Sequence, residues 1–417
     1  MKKQLIHGCV LTSTCLFITA LAPGVLGQGA LTPPGAPAPT MKTLTQVEPR
    51  TPIATLPYGI TSPGSYYLTT NLTCPPGING ITVAADHVTI DLRGFAIIGA
   101  GQAGPAASAI IAPAPLVDLN VVNGAITLWS GEVVSASTTR NSKFENLRVN
   151  DNGNSALHLG DGCIVNDCLA QANCSYSVGT PVIYVGNHCL VESCVAQNNA
   201  GPGISTGNGG LVTDCVANNN VNYGIKTGDD SRVNNCSASL NTASGNGPGD
   251  GIFVGNGSAV NGCIALGNTY DGIETISGGS VLGCIVRTNL NHGIVVQAGS
   301  TVKDCTASAN HFNGIFVSLH SQVVDNTCDA NGQAGIQTAA AGDGNRIDGN
   351  SVTTNKVAGI DCSGSTADLV IRNSARLNGA NYSLNLTPMP NGTKNATIYS
   401  PPASGFLNND PWGNFSY

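Results

Sequence analysis

Along most of the chain, apolar and polar residues alternate in very short bursts rather than in helical rows. Ile225-Lys226-Thr227 and Ile273-Glu274-Thr275 each place a charged residue between two branched ones. Upstream, Tyr66-Tyr67-Leu68 and Val88-Thr89-Ile90-Asp91-Leu92 read as strands ending in turns, since alternation with period two marks a half-buried strand. From about residue 140 the bursts recur at a fixed interval. Cys168, Cys194, Cys215, Cys236, Cys263, Cys284 and Cys305 follow one another at 26, 21, 21, 27, 21 and 21 residues. The register runs on through Asn326, Asn350 and Asn373, and Asn146 precedes it. Five residues after each point from Cys168 onward stands another Asn: Asn173, Asn199, Asn220, Asn241, Asn268, Asn289, Asn310, Asn331, Asn355 and Asn378. A Gly-Ile step follows most of them, as at Gly224-Ile225, Gly272-Ile273, Gly293-Ile294, Gly314-Ile315 and Gly335-Ile336.

A unit of this length holds three short strands and three turns, and it cannot bury its apolar side alone. Stacking one unit on the next puts strands in parallel register about 4.8 Å apart and equivalent residues in columns. Cys suits an inward column because it is small and soft. Asn suits a turn column because its amide bonds the next coil and tolerates left-handed backbone. Gly before Ile marks a turn where a Cβ would clash or where φ is positive. The fold expected is all-β, a right-handed parallel β-helix of roughly 13 coils over residues 64–383, hence a rod about 60 Å long. A propeller would need about twice the period and a leucine-rich repeat would need Leu at its consensus positions. The 26- and 27-residue spacings mark insertions in turns.

The ends depart from the repeat. Residues 1–27 read as a secretory signal, with Lys2 and Lys3 before the apolar run Val10 to Ala22 and Val25-Leu26-Gly27 at a cleavage site. Residues 28–40 form a Pro/Ala/Gly-rich linker and 41–63 an N-terminal cap, with Met41, Leu44 and Val47 on one side of a short helical turn. Residues 384–417 leave the repeat as a C-terminal tail expected to fold back along the rod or over its last coil. Caps are needed because an open coil exposes strand edges. No later segment is apolar enough to span a bilayer, so the mature chain is expected outside the cytoplasm, at the surface or in the periplasm.

Composition narrows the function classes. Only 10% of residues are charged, 41% are hydrophobic and Gly reaches 53 of 417. That excludes a highly charged disordered chain and argues against a helix bundle. With 17 basic against 24 acidic residues the chain is no basic nucleic-acid binder. Of 15 Cys, Cys9 and Cys15 lie in the signal. The seven register Cys are expected as buried thiols, while Cys163 and Cys189, each five before a register Cys, are near enough for a disulfide. Without a CxxC, a zinc site is not expected.

Thr32-Pro33-Pro34-Gly35, Met41-Lys42-Thr43-Leu44, Glu48-Pro49-Arg50-Thr51-Pro52-Ile53, Gly64-Ser65-Tyr66-Tyr67-Leu68 and the ending Asp410-Pro411-Trp412-Gly413-Asn414-Phe415-Ser416-Tyr417 resemble secreted bacterial β-helix proteins of unassigned function. The repeat itself is similar to the right-handed parallel β-helix superfamily that includes pectate lyases and NosD-like periplasmic proteins. The resemblance spans nearly all the mature chain and implies fold and export, but no catalytic residues.

Chemistry on such a rod belongs on an outer face. Just before successive Gly-Ile steps the chain offers Asp250, Asp271, His292 and Asn313, a predicted polar column. Beside it, Phe253, Glu274, Val295 and Phe316 should point outward, with Tyr223, Tyr270 and Phe312 close by. Asp250, Asp271, Glu274 and His292 are therefore the candidate catalytic groups, and Tyr223, Phe253, Tyr270, Phe312, Asn313 and Phe316 the candidate ligand contacts. Rings stack on sugars, and carboxylates bind hydroxyls, Ca²⁺ or a proton; an opposed pair is a glycosidase's acid and base. The plainer alternative is that these Asp and Asn only cap turns. Gly228-Asp229-Asp230 echoes the paired aspartates of polygalacturonases, yet the Gly-His-Gly and Arg-x-Lys of that pattern are missing and a turn is the expectation. Arg232, Arg287 and Lys303 do not share a column with the acids, and His158, His188, His311 and His320 are scattered.

The expectation is an exported, non-catalytic β-helix protein that binds a polysaccharide or cell-surface glycan, or builds a surface layer. No cofactor is expected, and Ca²⁺ has no motif behind it. The alternative is a polysaccharide lyase, hydrolase or epimerase. It requires Asp250, Asp271, Glu274 and His292 to converge in one groove with a basic residue opposite.

Overall fold

A computed structural model describes residues 48–245, 247–340, 342–365, 367–385, 396–397 and 413–416. The expected signal and linker, and most of the expected cap and tail, lie outside these residues. From Arg50 onward the described chain is a stack of three-strand coils whose strands all pair in parallel, the all-β parallel β-helix that the repeat predicts, with one antiparallel bridge, Ser244 to Gly247, in an inserted turn. Strands already begin at Thr51–Ile53 and Tyr58–Ile60, ahead of the expected start at residue 64.

One coil shows how the repeat works. Ile204–Thr206 lies on one face, Leu211–Thr213 on a second and Val216–Asn218 on a third. The next coil repeats them as Ile225–Thr227, Arg232–Asn234 and Ser237–Ser239, with Ile204 opposite Ile225, Val212 opposite Val233 and Ala217 opposite Ala238. Among the described residues, the face that carries Ile225 has 15 parallel strands. Long strands at Leu119–Thr127 and Lys143–Asn150 bend between the other two faces. Inward residues are Ile, Val, Ala and Cys, with Leu68, Leu92, Trp129 and Phe144 added in the earlier coils.

Corners are held by buried side chains that act as rungs. The Asn220 backbone N–H donates to Asn241 Oδ1 (3.0 Å), the Asn241 N–H to Asn268 Oδ1 (3.0 Å) and the Asn268 N–H to Asn289 Oδ1 (3.0 Å). The free amide hydrogens of Asn268 reach Ala238 O and Asn289 Oδ1. These side chains thereby satisfy turn groups that no strand partner can reach. The residue with left-handed backbone is the one before the rung, not the rung itself. Asn219 (φ 53°) and Leu240 (φ 57°) precede Asn220 and Asn241, and Asp214 (φ 53°) and Asn235 (φ 52°) precede the cysteines. Cys215 N–H donates to Cys236 Sγ (3.4 Å), and Ser231 and Ser258 serve the third corner in the same way. The thiols, Cys163 and Cys189 included, are buried and unbridged. Hydrogen bonding with Cys194, more than burial, pushes the Cys215 thiol up to about 12.

Two sequence details resolve here. Gly224 is required by a close approach rather than by φ: a Cβ there would meet Asn241 Nδ2 at 2.5 Å and Gly251 O at 2.6 Å. Most of residues 384–417 lie outside the described residues, but the described end of the tail joins the last coil. Phe415–Ser416 pairs in parallel with Ser374 and Ala375, and Asn414 Oδ1 accepts the Asn373 N–H (2.9 Å), extending the register by one more rung.

Candidate functional site

The face of 15 strands presents one residue per coil to the outside, because the residues flanking it are buried. Register pairs run Tyr184 to Ser205, Lys226, Phe253, Glu274, Val295, Phe316, Gln337 and Asp361. The predicted neighbours Phe253, Glu274, Val295 and Phe316 are thus consecutive in one column, although Val295 is itself covered. Tyr223 and Phe253 have ring centroids 5.5 Å apart, and the Lys226 ammonium sits 4.8 Å above the Tyr223 ring. His292 stacks on Phe316 at 5.2 Å and packs against Phe312 at 5.7 Å. Tyr270 is 42% exposed.

Asp250, Asp271, His292 and Asn313 form the second column, at the corner leading into these strands. Each caps the next coil. Asp250 Oδ1 accepts the Asp271 N–H (3.0 Å), Asp271 Oδ1 the His292 N–H (2.8 Å) and His292 Nδ1 the Asn313 N–H (3.3 Å). Asn313 Oδ1 accepts the Ala334 N–H, and its amide donates to Gln337 Oε1 (2.7 Å). Asn313 is buried with its polar atoms engaged, so a turn cap describes it better than the ligand contact expected from sequence. The capping role holds for one oxygen of each aspartate. Asp271 has a further side-chain hydrogen bond with Asn291, which leaves the second oxygen of Asp250 to be accounted for.

That second oxygen is where the site departs from a plain turn. Carboxylate oxygens of Asp250, Asp271 and Glu274 lie within 4.8 Å of one another. Asp250 is fully buried and its Oδ2 has no hydrogen-bond partner. Burial first, then the charge of Asp271, pushes the Asp250 carboxyl up to about 8. Burial likewise carries Asp271 to about 7, with Glu274 adding to it, and raises Glu274. Low dielectric and like charge both penalise the ionised form, and here they act together. His292 is pushed the other way, to about 4, because burial disfavours its cation. It is therefore neutral near pH 7 and serves as an acceptor to Asn313.

Three of the four candidate catalytic groups, Asp250, Asp271 and Glu274, come together at this corner, whereas the His292 ring packs on Phe312 and Phe316; the basic residue not foreseen is Lys226. It lies on the same column as Glu274, two coils away with Phe253 between them. Its signal was its position just past the Gly224-Ile225 step, the place held by Phe253 and Glu274 in later coils. Sequence reasoning also passed over the upper end of the column. There His158 pairs with Glu132 (2.8 Å) and its ring lies 4.9 Å from Tyr184. Gly228-Asp229-Asp230 is a turn: Asp229 Oδ1 accepts the Asn256 N–H (2.7 Å), and Asp230 has φ 55°. The surplus residues of the 27-residue spacing run directly into Asp250, with Ala243 N–H anchored on Thr269 Oγ1 and Ser244 Oγ on Asn222.

Residues 226–323 match the family model described as right handed beta helix region. The fold is accordingly a right-handed parallel β-helix. No curated protein matches the chain. Among solved structures, the periplasmic alginate epimerase AlgG is similar at 12% identity and TM-score 0.48, over 74% of this chain and 78% of that one. The Azotobacter vinelandii mannuronan C-5 epimerase AlgE4 A-module is similar at 17% identity and TM-score 0.39, over 73% and 91%. The Dettilon tailspike protein is similar at 14% identity and TM-score 0.38, over 73% and 62%. Likeness at these levels says nothing about activity. Among the described residues no helix is long and apolar enough to cross a membrane.

Proposed function

We propose that this protein is exported and binds a polysaccharide along the outer column of its 15-strand face. The sequence of residues 1–27 supports export. The observation that carries binding is the strip itself. Tyr184, Phe253 and Phe316 stand on the column, with Tyr223, Tyr270 and Phe312 beside it and the carboxylates at its centre. Flat apolar faces interleaved with a few polar groups are how proteins grip an amphipathic ligand. The coils fix the spacing of these groups, so the ligand meets a surface that is already ordered and little conformational entropy is lost.

A second reading, catalysis, has one observation in its favour. Carboxyls whose pKa values sit near neutrality in a half-open site are suited to proton transfer. One experiment separates the two. Purified protein starting at residue 28 is passed over immobilised acidic and neutral polysaccharides, and the same glycans are assayed for unsaturated products and new reducing ends. Retention without turnover, weakened at least tenfold by Phe253→Ala or Tyr270→Ala, is the expected result. Turnover lost in Asp271→Asn, which keeps the capping oxygen, would replace binding with catalysis. Absence of both retention and turnover would sink both readings and leave a structural rod.

A further inference from the structure

We propose that Asp250, Asp271 and Glu274 form a binding site for a hard divalent cation, calcium being the best match. Three carboxylates within 4.8 Å of one another supply an all-oxygen donor set with no thiol or amine. Calcium takes such ligands in flexible arrangements and completes its shell with water, whereas zinc prefers nitrogen and sulfur. Glu274 is only half-buried, so the cluster has a side open to water.

The independent sign of a missing ligand is Asp250 Oδ2. It is an acceptor on a fully buried residue with no donor, while its sister oxygen is satisfied by the Asp271 N–H. Buried polar atoms are nearly always paired, and an exception asks for an unseen partner. A dication would give this oxygen its partner and bridge it to the Asp271 and Glu274 oxygens within reach. Among the described residues no ion pair joins any of the three acids to a basic side chain. The nearest basic residue along the column, Lys226, is engaged over the rings of Tyr223 and Phe253.

The proposal does not depend on glycan binding, and its test uses the metal alone. Calcium is titrated into metal-stripped protein at pH 7.5 by calorimetry, with thermal unfolding followed in parallel. Saturable binding of one ion is expected, with Kd of about 0.1–1 mM, the range of extracellular calcium modules. Asp250→Asn and Glu274→Gln preserve size, and the first keeps the capping oxygen, so both should fold as judged by circular dichroism. Each should weaken binding at least tenfold and abolish the calcium-induced rise in melting temperature. Asp230→Asn, on an exposed turn, should change neither. No saturable binding by the parent protein, or equal weakening by Asp230→Asn, would overturn the site, the latter by reducing it to diffuse acidic attraction.

Discussion

Two buried aspartates in this molecule have been treated in opposite ways. Asp348 is 1% exposed and held by two arginines: Arg346 Nε donates to Oδ2 (3.0 Å) and Arg372 Nε to Oδ1 (2.6 Å). The Arg372 hydrogen bonds, outweighing burial, hold its carboxyl below the usual carboxylate range. Asp250 is equally buried, but its close charged neighbours are two more acids, and its carboxyl is pushed up to about 8. Both sit on strand or corner positions of the same repeating coil, so the backbone does not explain the contrast. A carboxylate kept for structure comes with its counter-charges. One kept without them is costly to the fold and points to something the fold does not contain.

The comparison can be broken from the compensated side, with the largest effect. Asp348→Ala leaves two guanidinium groups facing each other and should lower unfolding free energy by about 2–3 kcal/mol in urea titrations. Because the folded-state pKa of Asp348 is depressed, its contribution is present above the unfolded value of about 4 and fades as pH falls below it. The difference between parent and variant should shrink accordingly in acid. From the uncompensated side the sign reverses. Asp250→Asn keeps the cap and removes the charge, and in calcium-free buffer it should stabilise by about 1–2 kcal/mol at pH 8. A raised folded-state pKa favours folding at low pH, and that advantage is lost as pH rises from about 4 toward 8. The gain in Asp250→Asn should therefore vanish near pH 4. The smallest effect sharpens the contrast by converting one site toward the other. Val295 pairs in register with Glu274, so Val295→Lys sets an ammonium beside the acids. Because Val295 is itself covered, the longer side chain costs packing, and the expected readout is loss of the stabilisation by calcium rather than a gain at pH 8.

How much of this the sequence disclosed depended on whether a column needed one residue type. The Asn and Cys corners were legible because every rung is both donor and acceptor to its neighbours, so substituting one disturbs two coils. The alignment of Asp250, Asp271, His292 and Asn313 was legible for the same reason, even across an insertion. The left-handed turn residues were not. Leu240, Thr288, Ala309 and Arg372 all take positive φ without any local preference for it, because packing of the flanking strands overrides propensity. Lys226 escaped notice because the outward column fixes a position but not a residue type, so only its place after Gly224-Ile225 marks it. The lone oxygen of Asp250 lay beyond sequence altogether: an Asp that caps and an Asp that caps and waits for a ligand are spelled alike.

The 21-residue spacing that makes these columns also gives the molecule a unit of length. A duplication or deletion of one whole coil would shift everything beyond it by one strand spacing, about 4.8 Å, and restore every rung. A change of any other size must be absorbed as a loop, as the surplus before Asp250 is. Strip length is thus adjustable in discrete steps without redesigning a core, as a ruler is cut to measure.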